Sequence, residues 1–284
     1  MAAVVLEQPH GLSPDALRAI AELEREVVGA DGGRLKLEWE TLRRRSGDRV
    51  EDLLWWEHER LCGFLGLYSF ASPVELSGMV APSFRRRGIA TELLDGAMVL
   101  CRSRSERTAF LVVPRASIAG RTLALRRGAR LDHSEHALLL TGGPKKSRRT
   151  PGVTVRRADA ADGPVVSRLI ESGFGHPAHE IAEELDSPRG QTLVIEQFGE
   201  PAGTIRVTRN DTDASIDGFV IDSELRGRGL GREALRQVCD QLAGQATARI
   251  GLEVAVDNEQ ALTLYTSLGF EPITTEDYYW MPIS

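Results

Sequence analysis

The apolar positions of this chain change period many times, and each change marks an element. After Ser13-Pro14-Asp15, which supplies an N-cap, a first-turn proline and a first-turn acid, Leu17, Ile20, Leu23 and Val27 recur at helical spacing and predict an amphipathic helix. A second helix is expected within residues 34–45, then strands over 50–58 and 62–70 around a Glu59-Arg60 turn, and a strand over 74–80. A glycine-containing loop opens a helix to about Arg104, and residues 109–113, 117–127 and 130–140 read as strand, helix and closing strand or hairpin. Thr141 to Gly152 is rich in glycine and proline and has no apolar side chain suited to a core, which marks a linker.

Beyond the linker the order returns. A strand over 153–157, helices over 162–173 and 178–186, a hairpin over 191–209 turning at Gly199-Glu200 and a strand over 213–221 lead to a second glycine loop. A helix over 230–243, a strand over 249–256, a helix over 259–267 and a last hairpin through Tyr278-Tyr279-Trp280 complete it. Strands and helices interleave around a mixed sheet in each half, so the fold class is α/β, or α+β with a mixed sheet.

The two halves also match residue for residue. Arg85 to Gly128 aligns without a gap onto Arg226 to Gly269, since 226 − 85 and 269 − 128 both give 141. Arg87 meets Arg228, Gly88 meets Gly229, Glu92 meets Glu233, and Leu111 meets Leu252. Upstream the offset slips to 140 at Gly63 and Gly203. A repeat of about 140 residues is a whole domain rather than a solenoid unit. The expected division is a domain over 1–141, a linker over 142–152 and a domain over 153–284.

Composition narrows the function classes. At 284 residues with 42% hydrophobic content the chain can build two cores. The net charge of −6 argues against nucleic acid as partner, and Lys145, Lys146, Arg148 and Arg149 read as a solvated linker. No apolar run is long enough to span a membrane and the first residues lack a secretory signal, so no membrane partner and a cytoplasmic location are expected. Cys62, Cys101 and Cys239 are far apart and form no ligand motif. They read as core residues, with no metal site.

The chemistry is concentrated in the two loops, Arg85-Arg86-Arg87-Gly88-Ile89-Ala90 and Arg226-Gly227-Arg228-Gly229-Leu230-Gly231. Each follows an apolar pair, Met79-Val80 or Val220-Ile221, and opens a helix, the order that presents backbone N–H groups to phosphate. Gly229 and Gly231 allow close approach while Arg226 and Arg228 supply charge. The Lys-Ser/Thr of a P-loop is absent, and neither loop sits where a dinucleotide fold requires it. A phosphate-bearing carrier other than ATP or NAD fits.

Each half resembles the GNAT superfamily of acetyl-CoA-dependent N-acetyltransferases. Val220 through Gly231 is similar to that superfamily's pyrophosphate motif, and Leu252 through Phe270, with its Asn258, Ala261, Leu264-Tyr265 and Leu268-Gly269-Phe270, to its second motif. The resemblance covers almost all of the second half and residues 74–128 of the first. It implies two tandem domains, each a mostly antiparallel mixed sheet flanked by helices, with acetyl-CoA as co-substrate and its pantetheine arm between two splayed strands lined by Met79, Val80, Val220 and Ile221.

Transfer of an acetyl group to an amine needs the amine neutral and the departing thiolate protonated. The resemblance makes Tyr265 the general acid and Glu253 the base, as in ribosomal-protein alanine N-acetyltransferases, with Asp217 the second candidate base. Asn258 caps a helix or contacts the cofactor. Subtracting 141 places Val112, Ser117 and Ala124 at the positions of Glu253, Asn258 and Tyr265, and Pro114 interrupts the matching strand. The second half is therefore expected to catalyse, while the first binds acetyl-CoA unproductively or only scaffolds. The tandem arrangement resembles the mycothiol synthases, which acetylate a small-molecule amine, whereas the second-half motif with Glu253, Tyr265 and the closing Tyr278-Tyr279 leans towards acceptors such as protein N-termini. A non-catalytic acetyl-CoA sensor is the alternative from a different class.

Overall fold

The computed structural model describes residues 4–69, 72–174, 185, 190–210, 212–245 and 247–283. The helix expected over 178–186 falls, but for Leu185, outside the described residues. Two compact units emerge, and they do not follow chain order: one is Met1–Glu135 with Thr274–Ser284, the other His136–Ile273.

The first unit contains strands β1 (Val4–Glu7), β2 (Asp52–Glu57), β3 (Arg60–Tyr68), β4 (Val74–Val80) and β5 (Thr108–Pro114), and helices α1 (Pro14–Asp31), α2 (Trp39–Arg43), α3 (Ile89–Ser103) and α4 (Ile118–Arg126). β1 through β4 pair antiparallel in chain order, and β4 pairs parallel with β5. The Ser13 hydroxyl accepts the Ala16 N–H at 3.1 Å to cap α1, whose Ala16, Ile20, Leu23 and Val27 stripe is buried. α2 is shorter than the expected helix because Leu35 and Leu37 are buried from a non-helical segment before it. α1 and α2 cover one face of the sheet, with Phe64 and Met79 beneath them. Leu65, Leu111 and Val113 pack with α3 on the other face.

The second unit contains β7 (Val153–Arg157), β8 (Gln191–Gln197), β9 (Glu200–Asn210), β10 (Asp213–Ile221) and β11 (Arg249–Ala255), and helices α5 (Gly163–Phe174), α6 (Leu230–Gly244) and α7 (Glu259–Leu268). Again the early strands are antiparallel and β10 and β11 are parallel.

What closes each unit departs from the chain-order division. The strand following α4, β6 (Arg130–Thr141), lies beside β11 and places Leu138 and Leu140 in the second core. The strand following α7, β12 (Glu271–Pro282), pairs antiparallel with β5 from Glu276↔Pro114 to Pro282↔Thr108, and buries Tyr279 and Met281 in the first core. Each such side chain contributes about 1.5–3 kcal/mol by burial. β12 is one continuous strand where a hairpin was expected, because residues 271–282 hold no glycine or asparagine on which to turn.

Candidate functional site

The two glycine loops are superposable in their internal bonding. Gly88 and Gly229 take φ of +88° and +82° as N-caps of α3 and α6, a left-handed conformation that costs a side-chain-bearing residue about 1–2 kcal/mol. Arg85 Nε donates to Val80 O at 3.1 Å and Arg226 Nε to Ile221 O at 3.0 Å. Arg87 Nη2 donates to Ser83 O and Arg228 Nη2 to Glu224 O, both at 3.1 Å. These arginines brace the loop as well as adding charge, so part of each guanidinium is committed to main-chain carbonyls. The first-turn N–H groups are left unmatched within each helix. In the first unit the Arg85 fork is closed by Asp31 at 2.8 and 2.7 Å, whereas Arg226 is exposed.

Behind each loop the parallel strands part. The β4/β5 register ends at Leu76↔Leu111 although β4 runs to Val80 and β5 to Pro114. The β10/β11 register ends at Ile216↔Leu252 although the strands run to Ile221 and Ala255. Met79-Val80 and Val220-Ile221 lie on the diverging segments. The one-residue slip in the repeat has its physical cause here. Gly63 pairs with Val80 and Gly203 with Ile221, but β10 carries a bulge between Asp217 and Val220 that β4 lacks, and Gly218 takes φ +56° within it.

In the second unit the acid candidate is enclosed. Tyr265 on α7 is buried, its ring centroid 6.4 Å from Phe219 and 6.1 Å from Phe270, and desolvation pushes its hydroxyl up to about 12. Alternation along β11 turns Leu252 and Val254 toward the core that holds Tyr265, and Glu253 toward the opposite face. Acid and base candidates thus stand on opposite sides of the sheet, next to the parted strands. Asp217 is more than half exposed, with Arg206 Nε 3.9 Å away. Asn258 is the N-cap of α7, its Oδ1 accepting the Ala261 N–H at 3.1 Å. Ser117 caps α4 in the same way, accepting the Gly120 N–H at 3.1 Å.

Sequence reasoning missed the linker's part in this site. Thr150 Oγ1 donates to Gly229 O at 3.3 Å, and Lys145 N–H to Leu268 O at 2.8 Å. Burial alone would raise the Glu233 carboxyl. Hydrogen bonds from Arg236, Gln237 and the Thr150 N–H instead hold it below the ordinary glutamate range. Its counterpart Glu92 is exposed.

The first unit is hollow beside its loop. A cavity of about 770 Å³ runs from the Gly88 loop between the parted strands to α1, lined among others by Met79, Val80, Arg85, Arg86, Ile89 and Ala90. Phe219, Tyr265 and Phe270 correspond at the same offset to Gly78, Ala124 and Ala129. On the α1 side of β5, Tyr278 donates to Glu135 Oε2 at 2.7 Å and accepts from Lys36 Nζ, and the Lys36 ammonium lies 3.6 Å from Glu75. The His133 ring stacks on Tyr278 at 4.2 Å. These groups satisfy one another and fix β12 in the first unit. Cys62, Cys101 and Cys239 are buried. Among the described residues no cluster of three or more His, Cys, Asp or Glu is placed to hold a metal ion, and no helix is long and apolar enough to cross a membrane.

Comparison with known proteins matches this geometry to a family twice over. The family described as Acetyltransferase (GNAT) matches residues 15–127 and again 165–270. A mycothiol acetyltransferase from a Nocardioides species is 26% identical over 290 residues, covering 90% of this chain and 94% of that protein. A putative ribosomal protein bS18-alanine N-acetyltransferase from Bacillus subtilis is 34% identical over 94 residues, 33% of this chain and 60% of its own length. Among solved structures, a GCN5-related N-acetyltransferase from Sphaerobacter thermophilus has a TM-score of 0.83 at 19% identity, covering 99% of this chain and 96% of its own. A tandem GNAT protein from the clavulanic acid biosynthesis pathway has a TM-score of 0.69 at 18% identity, covering 100% and 99%. The last two share the fold.

Proposed function

The chain belongs to the GNAT acetyltransferase family, and from that membership we propose that it moves an acetyl group from acetyl-CoA to a primary amine by direct attack, with the chemistry in the second unit. The observation that carries this reading is the enclosed Tyr265 beside parted strands and a braced loop, a combination that the first unit lacks at Ala124. The parted strands fit the co-substrate, since beyond Ile216↔Leu252 their main-chain groups are not paired with one another, and β10 leads on to the helix that Gly229 opens.

When bound there, the thioester supplies the activated acyl group. The loop of residues 226–231 holds the pyrophosphate through main-chain N–H groups, with Val220 and Ile221 along the arm. Tyr265, its hydroxyl raised to about 12 by burial, keeps its proton through the physiological range and holds it at Oη for the departing sulfur. Glu253, on the opposite face of β11, takes the proton from the incoming ammonium. Asp217 with an intervening water is the alternative base. Placing donor and acceptor of protons on opposite faces lets the amine approach from the side away from the leaving group.

The end-to-end likeness to mycothiol acetyltransferases favours a small-molecule amine acceptor over a protein N-terminus, and a cytoplasmic setting with acetyl-CoA at hand. The test is acetyl-CoA turnover against a panel of amines, with Tyr265→Phe as control. A general acid contributes about 10²–10⁴-fold, so turnover should fall by at least a hundredfold while acetyl-CoA affinity holds. Unchanged turnover removes Tyr265 from the role. Binding without turnover on any amine favours the sensor reading.

A further inference from the structure

The cavity of the first unit has a chemical polarity that an amine acceptor does not match. At one end stand the Gly88 loop with Arg85 and Arg86, and Arg126 and Arg127 at the C-terminal end of α4. The middle passes between the diverging ends of β4 and β5. The far end lies on the α1 face, walled by Val27, Val28, Leu35, Phe64 and Met79, members or satellites of the core beneath α1. In that far portion the one ionisable lining residue is Asp31, and both its oxygens are engaged by Arg85. Val112 occupies the position of Glu253, so no carboxylate is placed there to receive a proton from an ammonium. Burying an ammonium in such a pouch would be costly, whereas burying methylenes is favourable.

We propose that the first unit is a binding site for an acyl-CoA whose acyl chain is longer than acetyl, the anionic end on the arginine-flanked loop and the alkyl chain in the pouch under α1. The site holds this thioester without transferring it, since Ala124 stands where a proton donor would be. The proposal rests on membership of a CoA-using family but not on which unit catalyses. The pouch is walled by small and aliphatic residues of α1, its C-cap and the diverging strands, Val27, Val28, Gly32, Met79 and Val112 among them.

The test is calorimetry on the full chain carrying Gly229→Asp, which places a carboxylate in the second loop and leaves the first to be read alone. Octanoyl-CoA is compared with acetyl-CoA. One fully buried methylene is worth about fourfold in affinity, so burial of only two would give about sixteenfold. At least tenfold tighter binding of octanoyl-CoA is expected, and Val28→Phe, which fills the pouch, should erase that advantage while leaving acetyl-CoA affinity unchanged. Equal affinity for the two thioesters overturns the proposal, as does an advantage that survives Val28→Phe. Failure of both thioesters to bind the Gly229→Asp chain also overturns it. The transferase reading is judged separately, by turnover of the unmodified chain.

Discussion

The two units share a main-chain scaffold and differ in what fills it. Each has a left-handed glycine before its helix, an arginine Nε on the last strand carbonyl, a second arginine on the turn carbonyl, and a side-chain oxygen capping the next helix. Between them lie strands that part after a few registered pairs. Where one unit has Phe219, Tyr265 and Phe270, the other has Gly78, Ala124 and Ala129. The contrast separates two functions usually found together. The loop is a matter of backbone geometry and survives divergence of the side chains around it. Proton transfer depends on a few side chains and disappears when they change.

The largest expected effect exploits that separation at the loops. Gly229→Asp sets a carboxylate against the pyrophosphate and imposes a side chain at φ +82°, so turnover should fall by more than a hundredfold. Gly88→Asp makes the same change at φ +88° and should leave turnover within about twofold, because the reaction does not pass through that loop. Steady-state rates on the acetylated amine compare the two directly. Equal losses would show that the units act together and that the asymmetry is wrong.

A smaller effect with a diagnostic shape is expected at Glu253→Gln. At neutral pH an amine of pKa near 10 is almost wholly charged, so loss of the base should cost about 10–100-fold. The deficit should shrink as pH approaches the amine pKa, since a neutral amine no longer needs a proton acceptor. Tyr265, with its hydroxyl at about 12, remains a donor throughout this range and adds no falling limb below that pH. A deficit independent of pH would move the base role to Asp217 or leave Glu253 as structural.

Next in size is a change confined to the first unit. Tyr278→Phe removes a buried hydroxyl that links Glu135 and Lys36, at a cost of about 1–2 kcal/mol. Thermal unfolding should start several degrees lower, while the rate at moderate temperature is unchanged. A lost rate with unchanged unfolding would instead give the Tyr278 cluster a part in the chemistry.

Local signals made the loops and caps readable from sequence, because capping residues, left-handed glycines and helical periodicity act over a few positions. Ser13, Ser117 and Asn258 each cap the helix their position announces. What local signals do not carry is partnership across the chain. β12 sits on β5, more than 160 residues away, and nothing in the alternation of Tyr278-Tyr279-Trp280-Met281 specifies which strand it joins. β1 escaped notice because its four residues are mostly exposed and hold no buried face. The one-residue slip in the repeat was visible, but only the paired strands show that it is a bulge at Gly218. At the site, the candidate acid and base positions are marked by a motif, whereas the cavity leaves none.

The smallest effect tests whether the linker distinguishes the two loops. A Cβ at Gly229 would lie 2.9 Å from Thr150 Oγ1, while one at Gly88 would meet nothing within 4 Å. Both positions carry the same left-handed strain, so Gly88→Ala and Gly229→Ala should differ by the Thr150 contact alone. Thr150 Oγ1 occupies a lone pair of the Gly229 carbonyl, which already accepts the Glu233 N–H at 3.1 Å; it takes none of the N–H groups that phosphate needs. Thr150→Ala therefore loosens the loop without vacating or blocking its donors, and acetyl-CoA affinity of the second unit should weaken by no more than about threefold, the scale of one exposed hydrogen bond. In the Gly229→Ala background the same substitution relieves the collision and should improve affinity. That reversal of sign, read by titration in a double-mutant cycle, isolates the linker contact from the strain that the two units share. Additive losses would mean that the linker merely passes by the loop.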